Sequence, residues 1–388
     1  MDGSDARLAS VVELLGELVA IPTVAGRPNE QLIDLVGRRL AACGIDSATV
    51  ASATRADGLN LHATVGPPVS GGLLLAAHTD VVDVEGQTWS SDPFTLRCAG
   101  DALYGRGTTD MKGFLAAAVC AVERAATQPL RRPLTLALSC DEELGCAGVG
   151  TLLDALSATQ RRPALGIVGE PTGMRVADRH KGKVRLRVDV RGRAVHSAIA
   201  PAGVNAVVYA ARVVTGLDEI GGGLADTERD AAFAVPHATL SVGPIHGGVS
   251  TNIVPEQCTF EFELRLMPGQ DGNAVLGRVR ALSAALEREM QVVASESVIK
   301  LTELARYPGL RADLKAPSLP GAGETIAVDF GTEAGLYHER LSVPVVVYGP
   351  GDMGRAHRPD EYIRVSELRS AVSTLDALIN GLCRPATQ

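Results

Sequence analysis

Four short apolar runs, each breaking off into histidine or acid, constrain this 388-residue chain more than any other feature. LLLAA (73–77) leads into His78-Thr79-Asp80, and LTLALS (134–139) into Cys140-Asp141-Glu142-Glu143. ALGIVG (164–169) leads into Glu170-Pro171-Thr172. VVVYGPG (345–351) leads, after a loop, to His357-Arg358-Pro359-Asp360-Glu361. Runs of this length are strands, since a membrane span needs roughly 18 apolar residues. Helical patterns separate them, at Leu8–Val19, from a cap at Asn29 to about Cys43 with Gly44 beyond, and at Met111–Ala126. Strands alternating with helices predict an α/β domain whose sheet has parallel portions. In such a sheet, ligands bind in the crevice beyond the carboxyl ends of the strands. Asp110, in YGRGTTDMKG (104–113), joins the clusters at a predicted helix start.

The pattern changes after Arg179. Val184–Val190 (VRLRVDV) alternates as a strand with one wet face. A helix over Ala202–Thr215, strands near Ala238–Val242 and Cys258–Leu266, a helix over Gly272–Met290 and a strand at Val298–Leu304 follow. That β-α-β-β-α-β order predicts a small ferredoxin-like α+β unit, with Gly221–Asp230 as a loop inside it. The α/β pattern resumes at Ile326–Phe330 and Val345–Tyr348. One domain is therefore inserted in another, with segments 1–179, 180–305 and 306–388.

Charge narrows the partners. Lys+Arg 37 against Asp+Glu 45 gives −8, and aromatics are 3% with no basic run, which argues against nucleic acid. The opening MDGSDARLAS has no apolar signal core, so a cytoplasmic protein without a membrane partner is expected. Seven cysteines form no CxxC pair and read as reduced packing residues, Cys140 and Cys146 included although they bracket Glu142-Glu143.

A single His-x-Asp or Glu-Glu is ordinarily structural or merely exposed. Five clusters at strand ends and a helix start are a different matter. Histidines and carboxylates crowded into one crevice need positive charge among them, and this donor set suits zinc. It exceeds what one tetrahedral zinc accepts, whereas two metals about 3.5–4 Å apart can share a bridging carboxylate.

HTDVVDVEGQTWSSDPF, LYGRGTTDMKG, SCDEELG, VGEPT and AHRPDE, in this order, resemble the metal-site blocks of the M20 metallopeptidase/amidohydrolase family. The resemblance runs from about Ile21 to Ile363. It implies a zinc-peptidase-like catalytic domain with a mixed sheet and helices on both faces, in segments 1–179 and 306–388. It also implies that 180–305 is a lid and dimerisation domain, so a homodimer is expected. By the same resemblance two Zn2+ ions, replaceable by Co2+, are held by His78 and Glu170, by Glu143 and His357, and by a bridging Asp110. Asp80 then orients His78 by accepting the proton of its other nitrogen, and Glu142 is the general base for a metal-bridged water attacking an amide. His196 matches a histidine reaching across the dimer. Asn252, Arg265, Gly331 and Thr332 match substrate positions, Arg265 as a carboxylate grip.

Further blocks, among them GEPTGMRVADRHKGK (169–183) and FGTEAGLYHE (330–339), are similar to the bacterial acetylornithine deacetylases of that family. The expected substrate is a small N-acyl amino acid, N2-acetyl-L-ornithine, with Glu333 near its amino end. Asp83-Val84-Glu85 departs from the family's Pro-Val-Asp in a loop. Another M20 hydrolase (a desuccinylase, aminoacylase or dipeptidase) and an inactive metal-site scaffold remain the alternatives.

Overall fold

The computed structural model describes residues 3–317, 319 and 323–384; positions 1 and 388, the expected outer limits of the chain's domains, lie outside them. Its contacts divide into two compact units. One comprises the chain through Arg179, Leu310–Ala327 and the stretch from Thr332 onward; the other comprises His180–Gly309 and Val328–Gly331.

In chain order the first unit contains α1 (Gly3–Val19), α2 (Glu30–Ala42), β1 (Ser47–Ala51), β2 (Leu59–Val65), β3 (Leu73–His78), β4 (Arg97–Ala99), β5 (Ala102–Tyr104), α3 (Gly113–Ala126), β6 (Leu134–Ser139), α4 (Gly150–Ala158), β7 (Leu165–Pro171) and β8 (Ala177–His180). The second unit adds β9 (Gly182–Arg191), α5 (Ala206–Gly222), β10 (Thr239–Gly247), β11 (Gln257–Leu266), α6 (Gly272–Val293) and β12 (Val298–Tyr307). The chain then continues through β13 (Ile326–Val328), α7 (Ala334–Leu341), β14 (Val345–Gly349), β15 (Tyr362–Arg364) and α8 (Val365–Leu382).

The large sheet runs β1-β2-β6-β3-β7-β14-β8-β13. β6, β3, β7 and β14 are parallel neighbours, while β1, β2 and β8 pair antiparallel. This is the mixed α/β sheet expected. The parallel strands are covered on both faces, which is why they read as unbroken apolar runs: every residue of β3, β7 and β14 is buried. Helices α1, α2, α3 and α8 share one large core with the sheet. Helices α4 and α7 pack on each other, α4 also touching β1 and β2 and α7 touching β7 and β14. Truncating a fully buried side chain such as Leu75 or Leu115 to alanine costs about 2–5 kcal/mol. Gly169 lets α3 close on β7, because a Cβ there would lie 1.9 Å from the Phe114 ring. The strand end carrying Glu170 is thereby pinned.

Asn29 stands at the amino end of α2 but makes no capping hydrogen bond. Its amide instead pairs with both backbone groups of Leu59 at 2.8 Å and donates to Thr79 Oγ1, stitching the loop to β2 and to the end of β3. Long-range pairing won over the local cap because Asn29 is buried against those strands.

The second unit is the expected β-α-β-β-α-β sheet, antiparallel throughout, in the order β10-β11-β9-β12. Alternate residues of β9 and β11 are buried, and α5 packs on α6 and on β9, β10 and β11. On the outer face Lys183 and Arg185 pair with Glu263 and Glu261, so the wet side is cross-linked by charge. The helix expected from Ala202 begins at Ala206, where Asn205 accepts hydrogen bonds from Val207 and Val208 N–H groups. It also runs on through Gly221 and Gly222, into a stretch read from the sequence as loop. Leu217, Ile220 and Leu224 continue the buried stripe, and that burial outweighs the glycines' poor helix propensity. No helix among the described residues is long and apolar enough to cross a membrane.

Candidate metal centre

His78 is the last residue of β3, and Glu170 lies near the end of β7, its parallel neighbour. The His78 Nδ1 atom lies 2.9 Å from the backbone carbonyl of Asp80. A carbonyl can only accept, so Nδ1 carries a proton, and Nε2 is the nitrogen whose lone pair an ion would use once its own proton is released. That Nε2 points at Asp110 Oδ1 (3.0 Å) and Glu170 Oε1 (3.6 Å). The nitrogen partner differs from the expected one. The Asp80 carboxylate is 3.7 Å away and accepts instead from the backbone N–H groups of Glu142 (3.1 Å) and Glu143 (3.0 Å). Asp80 thus orients His78 through its main chain, and its side chain holds the Glu142-Glu143 turn.

The other oxygen of Asp110 lies 3.1 Å from His357 Nε2, which is also 3.1 Å from Glu143 Oε1. Asp110 therefore faces two sets, His78 with Glu170 and His357 with Glu143. In each triad, one ligand atom per residue lies within 4.8 Å of the others. One imidazole nitrogen and two carboxylate oxygens is the donor set of a catalytic zinc with a position left open. The residues present fit two such ions sharing one carboxylate.

Electrostatics agree. Burial disfavours charge on Asp110, yet hydrogen bonds from His357 and His78 hold its carboxyl far below the usual range. His78 is fully buried, which disfavours its cation, but Asp110 and Glu170 raise its proton affinity well above normal. Hydrogen bonds to Asp110 and Glu143 lift His357 to about 10. Burial pushes Glu170 and Glu142 well up, with Asp110 adding to the first and Glu143 to the second, and lifts Asp80 to about 6 against the pull of His78. Five carboxylates around two imidazoles form a field that divalent cations relieve.

Glu142 is half-buried and belongs to neither triad, although the charge of His78 acts on it. Its Oε1 lies 3.4 Å from the Cys146 Sγ, which donates to it. The sequence reading took Cys146 as packing; the i, i+4 spacing around Gly145 was the available signal. Glu333 is 2% exposed, and its carboxyl accepts from Ser139 Oγ at 2.7 Å, with burial raising it to about 7. It joins α7 to the end of β6 through Oε2, while Oε1 is buried without a hydrogen-bond partner among the described residues. Thr332 is buried and accepts from the Ala334 N–H.

The remaining expected residues lie in the second unit. His196 is exposed and accepts from the Ala198 N–H, and Asn252 is exposed with Ser250 Oγ on its carbonyl oxygen. Arg265 pairs with Glu263 at 2.9 Å and donates to Tyr307 Oη at 3.3 Å. Gly331 lies against Tyr307, with room for no Cβ.

Residues 74–262 match the model of peptidase family M20/M25/M40. The chain is 31% identical over 386 residues to an acetylornithine deacetylase of Klebsiella pneumoniae, covering 97% of this chain and 98% of the relative. It is 34% identical over 384 residues to an acetylornithine deacetylase of Myxococcus xanthus, covering 95% and 96%. Among solved structures, an M20 family metallo-carboxypeptidase of Sulfolobus solfataricus superposes with a TM-score of 0.79 at 18% identity, over 98% of this chain and 99% of that one. Human carnosine dipeptidase 1 gives 0.72 at 18% identity, over 97% of each chain. These likenesses of sequence and fold, with two candidate metal-binding triads sharing Asp110, lead to one conclusion: the chain belongs to peptidase family M20/M25/M40 and is a hydrolase of its metallopeptidase and amidohydrolase class.

Proposed function

We propose that the chain is a dinuclear metal-dependent deacylase that hydrolyses N2-acetyl-L-ornithine to L-ornithine and acetate, a cytoplasmic step of arginine biosynthesis. The observation carrying the two-metal reading is Asp110, whose two oxygens face separate histidine–glutamate pairs. The names of the curated relatives support the substrate.

His78 and Glu170 would hold one zinc, Glu143 and His357 the other, and Asp110 both, with cobalt as the expected substitute. Two such ions supply Lewis acidity, polarising the amide carbonyl and easing proton loss from the attacking water. Glu142 takes that proton as general base. Its raised proton affinity suits it to hold the proton until the C–N bond breaks and then deliver it to the departing nitrogen. One water is consumed; its oxygen stays on the acetyl carbon and its hydrogens end on the products. Asp80 keeps Glu142 and Glu143 in register through their N–H groups.

His196, from the partner of a homodimer, is the donor to the developing oxyanion, and Arg265 grips the substrate carboxylate with its planar fork. Asn252, Gly331 and Thr332 complete the proposed substrate contacts, with Glu333 near the amino end of the substrate, its buried Oε1 left without a partner among the described residues. Support for pairing through the second unit comes from β10, an edge strand whose surroundings expose Val208, Ile245 and Val249, the last to 88%.

The test is turnover of acetylornithine, succinyl-diaminopimelate and a dipeptide by the zinc-loaded chain. Acetylornithine preferred at least about tenfold in kcat/KM, roughly 1.4 kcal/mol of discrimination, supports the reading. Preference for another substrate reassigns the specificity within the family, and no turnover of any amide leaves the scaffold alternative.

A further inference from the structure

A second buried network lies against the centre, on residues to which the sequence reading gave no role. Arg106 and Glu361 are each 1% exposed and pair at 2.7 Å between Nη1 and Oε2. The other oxygen of Glu361 accepts from the backbone N–H groups of Thr109 (2.9 Å) and Asp110 (3.1 Å). Arg106 reaches the opposite way: Nη1 donates to the Arg358 carbonyl at 3.4 Å and Nη2 to Gln87 Oε1 at 2.6 Å. Gln87 Nε2 in turn donates to the His357 carbonyl at 3.3 Å. Trp89 stacks 5.0 Å from the Arg106 guanidinium and donates to the same Gln87 oxygen.

We propose that the Arg106–Glu361 pair is a positioning device that sets the spacing between Asp110 and His357, and so the affinity of the Asp110/Glu143/His357 triad for its ion. The inference rests on the two-metal reading. A buried ion pair is a poor way to stabilise a fold, and apolar side chains often replace one without loss. This pair holds the main chain of Asp110 on one side and the main chain around His357 on the other. His78 and Glu170 take no part in it. Groups that hold ligands from behind are worth roughly 10- to 100-fold in metal affinity.

Glu361→Gln tests it on the full chain, since the amide has one acceptor oxygen and can satisfy Arg106 or the Thr109 and Asp110 N–H groups, not both. Metal-free protein is titrated with Zn2+, following bound metal, heat and the emission of Trp89, the sole tryptophan. Wild type is expected to bind two ions, with the emission change accompanying the ion at the His357 triad. In Glu361→Gln the weaker ion loses roughly 10- to 100-fold in affinity while the tighter one shifts by less than about threefold. If that variant fails to fold, Gln87→Leu keeps the Arg106–Glu361 pair and its hold on Thr109 and Asp110 but removes the Gln87 bonds to Arg106, Trp89 and the His357 carbonyl; followed by bound metal and heat, it is expected to weaken the same ion about three- to tenfold. Two ions bound by the variant as in wild type, or weakened equally, overturn the inference and leave the two-metal reading standing. A wild-type chain that saturates with one ion overturns both.

Discussion

The two candidate metal-binding triads differ in what carries them. His78 and Glu170 sit on strands β3 and β7, with side chains 1% and 4% exposed. Glu143 follows β6 in a turn, and His357 lies in a loop with its side chain 48% exposed and its backbone in the left-handed region at φ 62°. A ligand on a buried strand is held by the ladder hydrogen bonds and the core, and it cannot move without moving them. A loop ligand depends on a few side-chain contacts, and a non-glycine residue in that conformation stores strain of order 1 kcal/mol. One half of the candidate centre is thus preorganised by the sheet, and the other is held in place by its neighbours. Asp110 belongs to both.

The largest expected effect tests that shared role. Asp110→Ala removes a ligand from each triad, so metal content should fall towards zero and turnover by more than about 10⁴-fold, beyond the worth of a general base alone. Retention of one tightly bound ion would break the bridging arrangement. Glu142→Ala should lose about 10²–10⁴-fold in kcat while keeping wild-type metal content, because its side chain belongs to neither triad. Loss of metal together with rate would move Glu142 into the ligand set.

Metal removal separates the triads directly. A chelator should empty the open His357 triad first, and His357→Ala should retain one ion. Simultaneous loss of both ions from wild type would erase the distinction. Acidity sharpens it. In the metal-free chain His357 is raised from 6.5 to about 10, so it is protonated at neutral pH and must release that proton to bind an ion. The apparent affinity of this triad should therefore rise with pH up to about 10, with proton release visible in the buffer dependence of the binding heat. The same shift stabilises the metal-free fold fully below pH 6.5, and that contribution is lost as pH rises through about 10. An affinity independent of pH across that window would contradict the hydrogen bonds drawn from His357 to Asp110 and Glu143.

The smallest effect concerns Cys146. Removing its thiol from Glu142 in Cys146→Ala should lower kcat about two- to tenfold with metal content unchanged, and Cys146→Ser should recover part of the loss, as expected for a weak donor. Equal rates in all three proteins would return Cys146 to the packing role assigned from the sequence.

The strands were legible because burial on both faces leaves a continuous apolar run. LTLALS matches β6 residue for residue, and LLLAA falls one short of β3 because His78 is the strand's last residue. The short strands β4, β5 and β15 were not legible, since three residues carry no periodicity. Gly221 and Gly222 were misread as loop for a related reason: their helical state comes from Leu217, Ile220 and Leu224 packing, which composition does not display. At the site, residue types and order gave the strand-end clusters, and the family resemblance singled out His78, Asp110, Glu143, Glu170 and His357 within them. The orientation of each atom was not available.

The sequence by itself determined the alternation of strands and helices, the acid and histidine clusters at the strand ends, and the family they resemble, since hydrophobic period and residue chemistry are local properties. Only the tertiary structure decided that the Asp80 main chain and not its carboxylate faces His78 Nδ1, that one Glu333 oxygen accepts from Ser139, and that Arg106 and Glu361 tie Asp110 to the His357 loop. Those choices rest on distances between residues up to 255 positions apart, which are set by how the chain packs in three dimensions and leave no trace in its order.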